Sequence, residues 1–140
     1  MNKFFAFILI LLAITVGVTG CGTGHVKHGG TVTLDDGTPL TKGNVIYITE
    51  TFQARGTIDA QGQYTIGTYN TADGLPKGTY KVYISGADED VPGSDGMASY
   101  SLIDPAYASF SSTPLTCEIP APKHTFDITV PKNPNPIPKK

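Results

Sequence analysis

Turn-forming residues cut this chain into pieces too short to be helices. Asp35-Asp36-Gly37, Lys42-Gly43, Asp59-Ala60-Gln61-Gly62, Asp73-Gly74 and Pro76-Lys77-Gly78 follow one another at short intervals. Gly tolerates positive φ, Asp hydrogen-bonds its own backbone and Pro fixes φ, so each group favours a tight turn. With sixteen Gly and eleven Pro in 140 residues, the whole composition leans the same way. The pieces between the turns alternate apolar with polar residues. Val32 and Leu34 share a face in 30–34, Tyr64 and Ile66 in 63–68, and Tyr80, Val82 and Ile84 in 79–85. Leu115, Cys117 and Ile119 do so in 115–119, and Phe126, Ile128 and Val130 in 124–130. Residues 44–49 carry Val45, Ile46, Tyr47 and Ile48 in succession, the pattern of a strand buried on both faces, and 53–58 is a weaker strand. Seven short strands, with no connection long enough for a crossover helix, predict an all-β fold: a seven-stranded antiparallel β-sandwich.

Ahead of these strands stands a leader. Met1-Asn2-Lys3 supplies one positive charge, and Phe4 to Val18 is almost wholly apolar. That stretch is short for a membrane span and suits the core of a signal peptide. Val18-Thr19-Gly20-Cys21 follows at once and resembles the lipobox of bacterial lipoproteins: apolar, small, small, Cys. The resemblance implies a thioether to diacylglycerol on Cys21, cleavage before it and acylation of the new amine, with several acyl chains giving stable anchorage. It also implies that Gly22, where an Asp would signal inner-membrane retention, favours the outer membrane or cell surface. The expected organisation is a signal peptide over 1–20, a flexible Gly-rich tether over 21–29, the sandwich over 30–131 and a disordered, Pro-rich basic tail over 132–140.

Within the sandwich, a second resemblance rests on residues 30–34, Gly37-Thr38-Pro39-Leu40, the run from Gly56 to Tyr64, and Pro76-Lys77-Gly78-Thr79-Tyr80-Lys81-Val82. Together they look like a carboxypeptidase regulatory-like domain, a transthyretin-like (prealbumin-like) sandwich. Small bacterial lipoproteins often pair a lipobox with one such domain. Residues Ser112 to Thr116 and Phe126-Asp127-Ile128 extend the likeness. The resemblance implies a fold and no shared catalytic set. One transthyretin-like branch hydrolyses hydroxyisourate with sheet His and Arg residues and a Tyr-Arg-Gly-Ser ending. This chain has one Arg, Arg55, and ends in Pro-Lys-Lys, which excludes that activity.

The remaining residues offer little for catalysis. The chain has a formal net charge of −2, which becomes −3 without Lys3 of the leader, and has no basic cluster, which argues against nucleic acid. His25 and His28 have a helix-face spacing but lie in the expected tether without carboxylate or Cys partners, and read as solvated linker histidines. His124 reads as a surface residue at a strand start. No Ser/His/Asp arrangement is identifiable, and neither a metal nor a cofactor is expected. With Cys21 lipidated, Cys117 is a lone thiol, read as a small buried hydrophobe without a neighbouring base. Asp88-Glu89-Asp90 with Asp95-Gly96 lacks the ligand spacing of a calcium loop. The long stretch 86–113 carries Met97, Tyr100, Tyr107 and Phe110 among Gly, Ser and Ala. Its aromatics suit stacking on a glycan or gripping a partner, with Tyr100, Tyr107 and Phe110 as possible ligand contacts. Tyr107, beside Pro105, is expected to pack on the sandwich, and Tyr100 to be more exposed. The expected function is therefore non-catalytic: a lipid-anchored envelope lipoprotein acting as a structural or protein-interaction module, touching the membrane through Cys21 and envelope proteins or glycans through its surface. The alternative is a small carbohydrate- or peptide-binding lipoprotein using the loop 86–113.

Overall fold

A computed structural model describes residues 24–120 and 123–139. The strands are β1 (His25–Val26), β2 (Gly29–Leu34), β3 (Asn44–Ile48), β4 (Gln53–Thr57), β5 (Gln63–Thr65), β6 (Leu75–Pro76), β7 (Gly78–Ser85), β8 (Asp88–Asp90), β9 (Ser99–Ser101), β10 (Thr116–Ile119) and β11 (Ile128–Val130). Among the described residues the one helical element is a 3₁₀ turn, Pro105–Tyr107, capped by the Asp104 carboxylate, which accepts from the Ala106 N–H. The fold is all-β. Each of the seven segments expected as strands became one. The four additions are only two or three residues long, too short for any period to mark them.

A four-stranded antiparallel sheet runs β10-β7-β3-β4, and a three-stranded sheet runs β11-β2-β5. Two small pairs, β1-β6 and β8-β9, complete the architecture. The apolar faces of the two larger sheets join one core. Val32, Leu34, Tyr64, Ile128 and Val130 come from the three-stranded sheet. Val45, Tyr47, Ala54, Tyr80, Val82, Ile84, Cys117 and Ile119 come from the four-stranded one. Burying a Val, Leu or Ile side chain in this way is favourable by about 1.5–3 kcal/mol. Ile46 is buried on the opposite face of β3, as its unbroken apolar run requires.

Three expectations need correction. Pairing is not wholly antiparallel: β11 lies parallel to β2, with Ile128 opposite Val32 and Val130 opposite Leu34. No crossover helix is needed, because the chain between these distant strands builds the other large sheet. Second, the described part of the Gly-rich tether is not free. β1 pairs with β6, and β2 begins at Gly29. Gly30 serves close approach rather than flexibility: a Cβ there would stand 2.2 Å from the Phe126 carbonyl oxygen. Third, the described part of the Pro-rich tail is tied down. Lys132 bridges Ile103 and Lys139 bridges Ser99. The Asn133 amide donates to the Ser101 carbonyl, and the Lys132 ammonium pairs with Asp36. Pro leaves such a segment no ladder of its own, yet the N–H groups of Lys132, Asn133, Asn135 and Lys139 still find partners. Cys21, the leader and residues 121–122 lie outside the described residues.

Candidate functional site

His28 corrects the reading of a solvated linker histidine. Its residue is 2 % exposed. Val26, His28, Gly30, Val32 and Leu34 share the phase of an extended chain, so the imidazole enters the core with the apolar side chains. There it meets Tyr47 from β3, Tyr64 from β5 and Cys117 from β10. The His28 Nε2 atom lies 3.1 Å from the Tyr47 hydroxyl, and that hydroxyl lies 3.0 Å from Tyr64 Oη. Tyr64 Oη donates to the Phe126 carbonyl at 2.6 Å.

The order of these bonds fixes the protons. The Tyr64 hydrogen is committed to the carbonyl, so Tyr47 donates to Tyr64, and His28 donates to Tyr47 from Nε2–H. Nδ1 is then the unprotonated nitrogen, and it has no hydrogen-bond partner. Burial, and secondarily the charge of His124, push the His28 pKa below its usual 6.5. Burial raises both tyrosines above their ordinary range, with the neighbouring tyrosine adding to the effect at Tyr47. Cys117 is a buried free thiol, as its alternating segment predicts. Its sulfur nevertheless has a base nearby: His28 Nε2 is 3.7 Å away, brought from the far end of the sequence. That nitrogen carries the proton given to Tyr47, and burial raises the thiol pKa, so the pair is a packed polar core rather than an activated nucleophile.

The three aromatics singled out in 86–113 part company. Tyr107 sits in the 3₁₀ turn and packs against the core, as expected. Tyr100 is half-buried in β9, opposite Glu89 of β8, and so lies in a small hairpin that the sequence does not announce. Phe110 is 45 % exposed. It lines a concavity of about 250 Å³ with Ile48, Glu50, Tyr80 and Lys81, and the Lys81 ammonium stands 4.9 Å above its ring. The acidic run Asp88–Asp90 forms β8, and Glu89 faces Lys42 at 3.8 Å. Among the described residues no cluster of three or more His, Cys, Asp or Glu side chains is placed to hold a metal ion. His124 is exposed.

A larger concavity, about 510 Å³, lies along β4. Gln53, Arg55 and Thr57 project outward from that strand while Ala54 and Gly56 are buried. The opposite wall is the loop from Gly67 to Thr71. Arg55 and Gly67 exchange both backbone hydrogen bonds at 3.0 Å, which locks the loop onto the strand. Gly67 is required there, since a Cβ would come within 2.1 Å of the Asn70 carbonyl oxygen. The Asp73 carboxylate then accepts from the backbone N–H groups of Thr68, Tyr69 and Asn70, the last two at 2.9 and 3.0 Å. Those bonds, Thr68 first, hold the Asp73 carboxyl below its ordinary pKa. The loop so fixed carries Tyr69, which is 85 % exposed. Sequence reading passed over this wall because its parts are separated in the chain. An aromatic two residues after a glycine and four before an Asp-Gly turn was the available signal. No family model, characterised protein or solved structure matches the chain.

Proposed function

We propose that this chain is a non-catalytic lipoprotein, anchored in the cell envelope through lipid on Cys21, whose domain serves as a structural or protein-interaction module. The proposed domain is a two-sheet sandwich of the carboxypeptidase regulatory-like, transthyretin-like kind. Two larger sheets sharing one core support that reading, as do the motifs at 56–64 and 76–82. The leader and the Val18-Thr19-Gly20-Cys21 box support the address.

The observation that carries the non-catalytic part is the fate of His28 and Cys117. Among the described residues the one imidazole set beside a thiol is buried, with its proton committed to Tyr47. A catalytic pair needs access to substrate and a free lone pair facing it. The alternative, ligand binding through 86–113, draws on Phe110 and its concavity, while Tyr107 is taken up by packing.

Mass spectrometry of the mature protein tests the anchor. The expected product begins at Cys21 and carries acyl chains, and Cys21→Ala accumulates as a longer, uncleaved precursor without them. A mature wild-type protein with an unmodified Cys21 would overturn the proposal.

A further inference from the structure

We infer that the concavity between β4 and the Tyr69 loop binds an acidic saccharide, with Tyr69 stacking on a sugar ring and Arg55 pairing with its carboxylate. The inference rests on the envelope reading only for where the ligand is met.

The volume, about 510 Å³, lies in the range of small-ligand sites, roughly 300–1,000 Å³. Most such sites are lined by apolar side chains, whereas this one is walled by Gln53, Arg55, Thr57, Tyr69 and Asn70. Amides and hydroxyls both donate and accept, which suits a ligand covered in hydroxyl groups. The exposed ring of Tyr69 supplies the one broad apolar face, and the C–H face of a pyranose is its complement. The loop that bears it is already fixed by Asp73 and by the Arg55–Gly67 bridge. Little ordering is therefore left to be done on binding.

Charge selects among saccharides. The protein is acidic overall, yet the lining contains no Asp or Glu, and Arg55 is its one charged side chain. A guanidinium presents a planar fork that matches a carboxylate in two parallel hydrogen bonds. A phosphate fits less well. The backbone N–H groups that could cradle it, those of Thr68, Tyr69 and Asn70, already point at Asp73.

The carboxylate can belong to a uronic acid or to the lactyl ether of a muramic acid. Titration calorimetry on the full chain in mild detergent distinguishes them, with trigalacturonic acid in one arm and an N-acetylmuramic-acid disaccharide in the other. Galactotriose and chitobiose are the neutral counterparts. At least one acidic ligand is expected to bind about tenfold more tightly than its neutral counterpart, with the preference shrinking as salt is raised. Arg55→Gln is expected to erase that preference, and Tyr69→Ala to weaken acidic and neutral ligands alike by about tenfold. Neither substitution should move the melting temperature, because both side chains are exposed. Absence of binding in both acidic arms overturns the inference, as does binding that survives both substitutions. An unmodified Cys21 would overturn the anchor and leave this result standing, and the converse holds equally.

Discussion

In the folded protein His28 is neutral with its proton on Nε2, and a second proton would have to go to Nδ1, which is buried and has no acceptor in reach. The folded state therefore binds fewer protons here than the unfolded chain, whose histidine titrates at its usual 6.5. Stability rises with pH wherever the unfolded state holds more protons, so it is full above 6.5 and falls as the pH drops below that value. Asp36 and Asp73 also have lowered pKa values, but their contributions are lost only as the pH falls below about 4, the ordinary carboxylate value. Urea midpoints measured between pH 7.5 and 4.5 should accordingly decline for the wild type and stay nearly level for His28→Gln. A level wild-type profile would show that His28 is not held neutral. Cys117, beside it, should react with a thiol reagent only on the timescale of unfolding, and denaturant should accelerate the labelling. Immediate labelling in native buffer would contradict its burial.

The strands show which elements can be read from side-chain order and which need the fold. Gly30 tests the contact between β2 and the segment leading into β11. Its φ is unremarkable, so Gly30→Ala would be mild or even favourable by about 0.4–1 kcal/mol if the site were open. The obstacle is the Phe126 carbonyl oxygen at 2.2 Å, a backbone atom that cannot rotate aside. The substitution is expected to destabilise by about 1–3 kcal/mol, the range for overpacking, read as a lower urea midpoint. An unchanged midpoint would mean that the segment before β11 is not held against β2. The same residue explains a misreading. In sequence, His28-Gly29-Gly30 looks like a linker because glycine is equally the residue of flexible chain and of close packing. The spacing of His25 and His28 drew notice, whereas the extended phase joining His28 to Val32 carried the information. β2, β7 and β10 were legible because each alternates over several residues, and β3 because its apolar run is unbroken. β8 and β9 were not, since three residues hold no period and their pairing depends on contacts across a hairpin. The wall of Arg55 and Tyr69 was illegible for a related reason: a single bridge at Gly67 brings it together.

Taken whole, the molecule closes on itself at both ends of its described chain. Asn133 donates to Leu102 and Ser101 carbonyls, Lys132 pairs with Asp36, and Lys139 exchanges backbone bonds with Ser99. Removing residues 132–140 should therefore cost about 1–2 kcal/mol through lost hydrogen bonds and lower the melting temperature by several degrees, roughly 4–8 °C per kcal/mol for a domain of this size. A truncated protein melting with the wild type would show that the tail adds nothing. The parallel register of β2 and β11 has a mechanical side. Traction applied ahead of Gly29 and resisted beyond Val130 pulls these two strands in opposite directions along their shared axis. Every hydrogen bond of the pair is then strained together, in shear, instead of parting one by one like a zip. Stretched between those points in a force-spectroscopy trace, the domain should give way in one high peak; stretched across Ser85 and Thr116, at the ends of the antiparallel β7–β10 pair, it should yield at lower force. A tug between the N-terminal side and the end of β11 thus loads this pair along its length rather than across it.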